Sequence, residues 1–457
     1  MQIIMNFMKY SKRLISRIIL ECDTPLALRS GNKNIITDAE VAKDINGLPY
    51  IPGSSIAGVL RHIVSDSDAE KLFGESGESD GEGSRVIFSD AVLLGPDGIA
   101  IEGIANYDES VPYFLKYLHL PIRQHVRIGK NGAAEDGGKF DNEVVYAGTR
   151  FCFEMETVAT DKEDIDSAKE ILSKLYLDTF RVGGGTRNGY GAMRIVSCKI
   201  KEYDFCIPDQ FLEYVSKSNS LASDFNGVEI NLDKKQTFDK YVISLEPDDY
   251  FHFGSESGDD EADSIPTNED RVVWEGNRAH FIEDCIVIPA TSVKGALSHR
   301  LAFNFNKLMC RFADKQDSNP KNAFENEAVI SLMGSEDERL PMRGALVFSD
   351  IILSNDLKIS GFNHIRVDSF TSAAINGALF NEKAVYKDSV NINTEILICN
   401  TDFERNLQIS GNEQYREMIL EAFEMTLSEL CNGSLPLGGF VNKGFGRFTG
   451  NYKRISK

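Results

Sequence analysis

Apolar and polar residues alternate along this chain in short blocks that predict strands and amphipathic helices. Apolar runs at 16–22 (SRIILEC) and 240–246 (KYVISLE) are typical of strands in a buried sheet. After the first run, apolar residues recur at the i, i+3, i+4, i+7 spacing of one helical face. This face consists of Ile56, Val59, Leu60 and Ile63. Because strands and helices follow each other closely, the pattern predicts an α+β fold.

The same blocks occur twice along the chain, in the same order. The matching pairs are 50–64 with 287–301, 85–94 with 345–354, 125–146 with 364–386, and 183–195 with 438–450. A fixed order of recurring blocks indicates that one unit has been duplicated. We therefore predict two tandem domains, 1–225 and 226–457, with a boundary in the polar stretch 215–238.

Each copy reads as strand, helix, strands, helix, strand. A hairpin-like block precedes the second helix, which the pattern places at 166–180 in one copy and 414–430 in the other. This order predicts two ferredoxin-like, RRM-like domains. The aromatic motif of an ordinary RRM is missing from both copies, so RNA binding through stacked strand aromatics is not indicated.

A glycine-rich loop closes each copy. In the first copy, RVGGGTRNGYGAMR (181–194) places arginines beside glycines that let backbone N–H groups approach an anion. There is no G-K-[ST], and the loop follows a helix, so a P-loop is excluded. A plain hairpin stays possible, but the arginines favour a phosphate cradle. The candidate phosphate-binding residues of this cradle are Gly184, Gly185, Arg187, Gly189 and Gly191. In the second copy they are Gly438, Gly439, Lys443, Gly444 and Gly446.

The first helix of each copy is a second candidate anion site. Ser54 and Ser55, and likewise Ser292, follow a proline where an N-cap is expected, and a helix N-terminus presents free N–H groups. Gly58 lies in the middle of the first-copy helix, as Gly295 does in the second, where glycine allows close approach of another backbone. Each of these helices also carries a cation, Arg61 in the first copy and Lys294 in the second.

Composition narrows the class of protein. Taken alone, the net charge of −21 argues against nucleic-acid binding, because nucleic-acid binders usually carry a basic surface. A local basic stripe can nevertheless coexist with acidic outer faces. Acidic runs at 65–84 and 246–270 are expected to be solvated loops. No apolar run is long enough to span a membrane, and scattered cysteines and histidines indicate no resident metal cluster. We expect a cytoplasmic protein.

The motifs together resemble the RAMP superfamily, the repeat-associated proteins of CRISPR systems. The resemblance rests on G-G-x-x-x-[NR]-x-G-[YF]-G near the end of each copy, after I-P-[GA]-[ST]-S-[IV]-x-G-[AV]-L near its start. The segment TDAEVAKDINGLPYIPGSSIAGVLR (37–61) is most similar to backbone subunits of type III (Csm/Cmr) effector complexes. Both halves match, so the resemblance covers most of the chain.

The resemblance implies a subunit that stacks along a CRISPR guide RNA together with other type III subunits, away from any membrane. A β-hairpin thumb, at about 122–148 and 363–388, would interrupt the duplex with complementary target RNA, and Arg123 and Arg127 in the first thumb would contact RNA. An aspartate before the first helix would cut the target with Mg²⁺ or Mn²⁺ that is not stably bound. It matches Asp38; in the second copy Asp270 is the first candidate and Asp263 the second.

Three alternatives stay open at this point. The chain could be a non-catalytic RNA-binding scaffold in the same complex, because the second copy reproduces the aspartate motif poorly. It could process precursor guide RNA, for which His62 and His299 occupy equivalent helix positions. A nucleotide-binding enzyme unrelated to RNA fits least well. For Trp274, the single tryptophan, the sequence does not distinguish a stacking contact from a structural anchor.

Overall fold

The computed structural model describes residues 10–31, 39–74, 82–104, 107, 110–129, 134–232, 238–255, 258–312, 320–335, 337, 339–388 and 390–456. These residues form an α+β protein with two main antiparallel sheets, a smaller three-stranded sheet and two separate two-stranded hairpins, which confirms the fold class expected from the sequence.

The first domain contains eight strands and five helices among the residues described. The strands are β1 (Lys12–Cys22), β2 (Val86–Phe88), β3 (Val92–Leu93), β4 (Ile122–Ile128), β5 (Ala134–Glu143), β6 (Arg150–Ala159), β7 (Met193–Asp204) and β8 (Val228–Glu229). The helices are α1 (Gly53–Ile63), α2 (Asp66–Phe73), α3 (Pro112–Leu118), α4 (Lys162–Lys174) and α5 (Pro208–Ser216).

The second domain follows a similar order of elements. Its strands are β9 (Asp239–Pro247), β10 (Asn268–Glu275), β11 (Arg278–Ile288), β12 (Leu346–Val347), β13 (Ile351–Ile352), β14 (Ile359–Val367), β15 (Ala374–Val385), β16 (Ile392–Ile398) and β17 (Phe448–Ile455). Its helices are α6 (Ala290–Leu308), α7 (Glu327–Met333), α8 (Asn400–Ser410) and α9 (Arg416–Cys431), with 3₁₀ turns at Glu413–Tyr415 and Val441–Lys443.

The two sheets share one strand order. In the first domain the order is β2-β6-β1-β7-β8, and in the second it is β12-β16-β9-β17. Strand β1 therefore lies between β6 and β7, and β9 lies between β16 and β17, while β2 and β12 lie at the edges of their sheets. This arrangement is compatible with the ferredoxin-like plan. All of these pairs are antiparallel. The duplication seen in the sequence is thus a duplication of topology.

Helices cover the buried face of each sheet. Ile56 and Leu60 of α1 and Ile171 of α4 pack in the same core as Leu14 and Ile18 of β1. Each such side chain, when fully buried, contributes about 1.5 to 3 kcal/mol. In the second domain the corresponding core combines α6, α9 and β9 through residues that include Leu297, Leu301, Phe423, Leu427 and Ile243.

The linker between the domains begins later than the sequence boundary at 225/226 suggests. Strand β8 pairs with β7, where Ile200 faces Val228, so it extends the first sheet. Tyr176 donates a hydrogen bond to the Ile230 carbonyl at 3.0 Å. The first sheet therefore continues to about residue 230, and the second begins with β9.

Two hairpins stand outside the sheets where the sequence places the thumbs. Strand β4 pairs with β5, and Ile122 faces Glu143 at the base of this hairpin. Strand β14 pairs with β15, and Ile359 faces Val385 at the base of the second hairpin. We refer to them as thumb 1 and thumb 2. Across the part of the chain described above, no helix combines the length and apolar character needed to cross a membrane.

Candidate nucleic-acid interface

The first glycine loop (residues 181–194) packs against the second domain. Arg187 donates from Nε to the Gly344 carbonyl at 2.7 Å and from Nη2 to Asp402 at 2.7 Å. A side-chain carbon at Gly189 would lie 2.6 Å from Ala290 Cβ and 2.6 Å from an Asp350 oxygen. This glycine is therefore required by the close approach of the two domains. The structure gives Arg187 and Gly189 an interdomain role where the sequence suggests a phosphate cradle.

Arg181 at the start of this loop is also held by protein groups. Its guanidinium donates to the Tyr190 carbonyl at 3.1 Å and to the Ser349 hydroxyl at 2.7 Å. Burial, together with the nearby Arg187 charge, lowers the pKa of Arg181 to about 10. The remaining glycines serve the turn itself: Gly191, at φ +71°, lies directly against the Val182 carbonyl. Gly184 and Gly185 lie at the partly exposed rim of the loop.

Arg123, expected to contact RNA from thumb 1, is buried between carboxylates of the second domain. Its Nη1 lies 2.5 Å from Asp350 Oδ2, and its Nη2 donates to Glu269 Oε2 at 2.7 Å. Burial alone would lower the pKa of Arg123, but Asp350 and Glu269 raise it well above its ordinary value. Its partners are therefore protein groups. Arg127 lies in β4, and its side chain is outside the described residues.

Asp270, the first candidate for catalysis in the second copy, lies in the interdomain contact as well. Lys116 of α3 donates to Asp270 at 2.6 Å and also pairs with Glu283 at 2.8 Å. The second carboxylate oxygen of Asp270 accepts from the Asp284 backbone N–H at 3.1 Å. Both oxygens of Asp270 thus hold the base of the β10–β11 hairpin, which we call the arm.

The arm inserts into the first domain and was not expected from the repeat. Val272 joins the first hydrophobic core, and its backbone N–H donates to the Ala147 carbonyl at 2.8 Å. Trp274 donates from Nε1 to the Gly148 carbonyl at 2.8 Å. The guanidinium carbon of Arg150 lies 4.2 Å from the centre of the Trp274 ring. Trp274 is therefore an anchor between domains. A turn signal between alternating residues, Gly276–Asn277, could have identified the hairpin.

The N-terminus of the first helix in each domain is capped by the protein's own aspartate. The N-cap residues are Pro52 and Pro289, so the serines expected as caps lie inside the helices. Asp90 accepts the Gly53 N–H at 2.8 Å, and Asp350 accepts the Ala290 N–H at 2.8 Å. These carboxylates occupy the helix ends that the sequence assigned to phosphate.

One face of the first helix is exposed to solvent. Ser54, Gly58 and Arg61 are exposed and lie four and three residues apart, on one side of α1. A side-chain carbon at Gly58 would meet no atom within 4 Å, so the glycine faces open space. Ser55 lies next to this stripe and is half-buried. In α6, Ser292 is exposed, whereas Lys294 donates to Asn188 of the first glycine loop at 2.9 Å.

The second glycine loop (residues 438–450) is open where the first is buried. The turn formed by Val441, Asn442, Lys443 and Gly444 is exposed. Gly438, at φ +90°, lies against the His252 carbonyl, and Gly439 donates its N–H to the same oxygen at 2.7 Å. Gly446, at φ +73°, lies against the Leu437 carbonyl. The loop presents Lys443 to solvent on a backbone fixed by glycines.

The segment before the first helix forms the same hydrogen-bond frame in both domains. The matching bridges are Leu26–Val145 with Phe251–Val385, Arg29–Val41 with Gly254–Pro266, and Ala39–Asn142 with Ser264–Glu382. Glu143 N–H donates to the Ala39 carbonyl at 3.0 Å, and Lys383 N–H donates to the Ser264 carbonyl at 2.9 Å. Ala39 and Ser264 are therefore equivalent positions.

This frame identifies the second-domain counterpart of Asp38. Asp38 itself lies outside the described residues, but it directly precedes Ala39 in the chain, as Asp263 directly precedes Ser264. Asp263 is exposed, and its Oδ2 accepts the Asn381 backbone N–H at 2.8 Å. The choice of Asp270 over Asp263 made from the sequence is thus not supported by position: Asp270 lies in the arm, beyond the frame.

Comparisons with known proteins support the duplication. A family model described as the RAMP superfamily matches residues 19–194 and 249–449. Over 252 residues the chain is 27% identical to a Methanocaldococcus jannaschii protein named CRISPR system Cms endoribonuclease Csm3, covering 49% of this chain and 94% of that relative. Over 177 residues it is 29% identical to a Streptococcus thermophilus protein of the same name, covering 35% of this chain and 76% of that relative.

Proposed function

Because this chain belongs to the RAMP superfamily, we propose that it is a backbone subunit of a type III CRISPR complex that binds guide RNA along both domains and cuts complementary target RNA. The observation that carries the proposal is the duplicated frame. In each domain, the segment before the first helix pairs with the base of a projecting β-hairpin in the same register. Each domain of such a chain presents an equivalent position for binding the same RNA strand.

The contact with guide RNA is proposed to be made by the exposed groups identified above. Arg61 on α1 and Lys443 on the second glycine loop supply positive charge, and the stripe of Ser54 and Gly58 allows an RNA backbone to approach the helix closely. Such contacts recognise phosphate and ribose and do not depend on base sequence. This accounts for RNA binding by a chain whose net charge is −21, because the cations need only line one face.

Cleavage of target RNA is proposed to use Asp38 in the first domain. A carboxylate beside a ribose can accept the 2′-hydroxyl proton while the 2′ oxygen attacks the adjacent phosphorus. The bond from phosphorus to the 5′ oxygen breaks, and water protonates the departing 5′ oxygen, which leaves a 2′,3′-cyclic phosphate and a 5′-hydroxyl end. The two relatives are named endoribonucleases, which supports this activity. In the second domain, the frame favours Asp263 as the equivalent residue.

We also propose Mg²⁺ or Mn²⁺ as a cofactor that arrives with the RNA. Among the residues that the structure describes, no three His, Cys, Asp or Glu side chains converge as metal ligands. The described residues therefore do not form a site for a permanently bound metal ion. We assign no metal ligand and no metal-dependent reaction step. Adding a chelator to the RNA-loaded complex tests the cofactor: cleavage is expected to stop while guide RNA stays bound.

The experiment that tests the function is purification of the tagged chain from its native host at moderate salt, followed by sequencing of the bound RNA. Short RNAs that share one repeat sequence are expected. The complex is then given a complementary RNA, and cleavage by the wild type is compared with Asp38→Ala. Protein without RNA, or with random cellular RNA, would contradict the guide-binding role. Guide RNA with no cleavage would indicate the non-catalytic scaffold.

A further inference from the structure

We propose that each thumb is fixed to the glycine loop of its own domain by a clamp, in which a histidine of the thumb stacks on a phenylalanine and bonds to a buried polar side chain. The histidines are His125 in thumb 1 and His364 in thumb 2. Both are positioning residues, which act through the strands that they hold. This inference rests on the proposed function, because the thumbs and the glycine loops are the elements that lie along the RNA in that function.

The same stack of two rings occurs in both thumbs. His125 faces Phe140 across the strands of thumb 1, with ring centres 4.9 Å apart and ring planes inclined by 20°. His364 faces Phe380 across the strands of thumb 2, with ring centres 4.8 Å apart and the same inclination of 20°. Stacked rings of this kind attract each other beyond the apolar area that they bury. The geometry has therefore been kept in both copies.

The two stacks also occupy equivalent places in their thumbs. Asn142 and Glu382 are the thumb residues of the matched bridges to the segment before the first helix. Phe140 precedes Asn142 by two residues, and Phe380 precedes Glu382 by two residues. Because alternate residues of a strand share one face, each phenylalanine lies on the same face as the bridge residue beside it. A displacement of the stack is therefore passed directly to the bridge.

In the first domain, a hydrogen bond joins the stack to the glycine loop. His125 Nε2 lies 2.6 Å from the hydroxyl oxygen of Tyr190, a loop residue that is 3% exposed. Burial raises the pKa of Tyr190 to about 12, so the hydroxyl keeps its proton and the contact is not an ion pair. Gly185 makes room for this ring, since a side-chain carbon there would lie 2.6 Å from Tyr190 Cδ2. The histidine of the thumb and a glycine of the loop thus hold one tyrosine between them.

In the second domain, a buried charge joins the stack to the glycine loop. His364 Nε2 lies 2.7 Å from Oε1 of Glu382, a side chain that is 0% exposed. The other oxygen of Glu382 lies 3.6 Å from Nζ of Lys443 in the loop, and this ammonium lies 4.4 Å from the centre of the Phe380 ring. A buried carboxylate is unfavourable unless cations or donors compensate it. Glu382 therefore holds His364 and Lys443 together, and with them the thumb and the loop.

The two clamps differ by a pair of compensating residues. Tyr190 of the first loop matches Phe445 of the second, so the hydroxyl is missing from the second loop. Asn142 of thumb 1 matches Glu382 of thumb 2, so the carboxylate is missing from the first thumb. Each histidine is thus given a buried polar partner, supplied by the loop in one domain and by the thumb in the other. A requirement for a fixed histidine explains this exchange, whereas a histidine without a role would need neither partner.

The clamp of thumb 1 bears on target cleavage through strand β5. Asn142 of this strand bridges to Ala39, which directly follows Asp38 in the chain. A looser stack at Phe140 lets the strand shift, and catalysis is sensitive to displacements of about 1 Å. The affinity for target RNA depends on pairing with the guide, so it is expected to stay the same. Loss of the clamp should therefore slow cleavage without weakening binding.

The test of thumb 1 uses the RNA-loaded complex purified from its host, with an end-labelled complementary RNA as the probe. Tyr190→Phe and His125→Phe each remove one side of the hydrogen bond and keep an aromatic ring. Each should slow the Asp38-dependent cut about 10-fold while the affinity for the probe stays unchanged. The double variant should be no slower than either single variant, because both changes remove the same bond. Tyr176→Phe removes a tyrosine hydrogen bond outside the thumb, to the Ile230 carbonyl, and should cut at the wild-type rate.

Hydrogen exchange of backbone amides, measured on the same purified complex, tests thumb 2 without relying on RNA. His364→Phe keeps a ring for the stack but leaves Glu382 without its nearest partner, so amides of 360–366 and 379–384 should exchange about 10-fold faster. Adding Glu382→Leu should return the exchange toward the wild-type rate, because it removes the buried charge that lost its partner. His280→Phe, at an exposed histidine of β11, is the matched control and should leave thumb 2 unchanged.

The outcomes separate this inference from the proposed function. If the clamp variants leave both exchange and cleavage at wild-type rates, the inference is wrong while the proposed function stands. Effects of Tyr190→Phe and His125→Phe that simply add, or slower cleavage that comes with a weaker affinity for the probe, would contradict a positioning role. If the complex contains no guide RNA, the proposed function is wrong, and the exchange measurement alone decides whether the clamps exist.

Discussion

Arg123 of thumb 1 and Asp350 of the second domain lie 2.5 Å apart, and they connect the thumb of one domain to the first helix of the other. The second oxygen of Asp350 accepts the N–H of Ala290, the first residue of α6. One carboxylate therefore both caps a helix and compensates a buried guanidinium from the neighbouring domain. The two halves of the chain are joined by buried charge as well as by their linker.

Loss of Arg123 is expected to destabilise the domain contact strongly. Arg123→Gln would leave the carboxylates of Glu269 and Asp350 buried without their cation, and breaking a buried pair in this way costs about 3 to 5 kcal/mol. Chemical denaturation of the purified chain should show a lower free energy of unfolding. Arg405→Gln, at an exposed arginine of α8, is the control. An effect no larger than that of the control would contradict the structural role.

Trp274 is expected to hold the arm in the first domain. Trp274→Ala removes the hydrogen bond to Gly148 and the packing over Arg150, so we expect a loss of about 2 to 3 kcal/mol, below the value for a fully buried tryptophan. Thermal unfolding followed by calorimetry is the measurement. Trp274→Phe keeps an aromatic ring but lacks the N–H donor, so its stability should lie between those of wild type and Trp274→Ala. A variant with unchanged unfolding but lost RNA binding would instead favour a stacking role.

Much of the fold was predictable because it depends on local periodicity and on duplication. The helix expected around Ile56 and Leu60 is α1, and the hairpin blocks are the thumbs. The partners of Arg123, Arg187 and Lys294 were not predictable in this way. A positive side chain beside glycines fits a phosphate and a carboxylate of another domain equally well, and the sequence does not indicate which anion is present.

The position of the second aspartate required the hydrogen-bond register. From the sequence, Asp270 and Asp263 are both acidic residues in a long loop that does not reproduce the first-copy motif. The insertion of the arm between Asp263 and α6 breaks the spacing on which a motif match depends. Backbone pairing of Ser264 with Glu382 restores the equivalence, because a bridge position is independent of the length of the insertion.

Acid is expected to destabilise the first domain through Asp164. Burial alone would raise its pKa, but the Thr160 N–H and the Lys71 and Arg85 side chains lower the pKa of Asp164 to about 2. Since the unfolded value is about 3.9, this carboxylate stabilises the fold above pH 4, and the contribution of roughly 2 kcal/mol is lost as the pH falls toward 2.

This pH dependence is measured by chemical denaturation between pH 7 and pH 3. Asp164→Asn should be less stable than wild type at pH 7, and the difference between the two should shrink as the pH falls. Asp166→Asn, at an exposed aspartate of the same helix, should follow the wild-type curve. If the free energy of unfolding depends on pH in the same way for wild type and Asp164→Asn, another group causes the loss of stability at low pH.

Arg61 is expected to contact a phosphate of the guide RNA, since it is the exposed cation of the α1 stripe. Each phosphate neutralised by a protein cation adds about 0.7 to 0.9 to the slope of log affinity against log salt concentration. Arg61→Gln should therefore weaken binding of unrelated RNA sequences equally and lower this slope by nearly one, as measured by filter binding of RNA to the assembled complex. Lys162→Gln, at an exposed lysine of α4, is the matched control. A weaker affinity with an unchanged slope would place Arg61 in protein packing, because loss of a phosphate contact must reduce the number of counterions released.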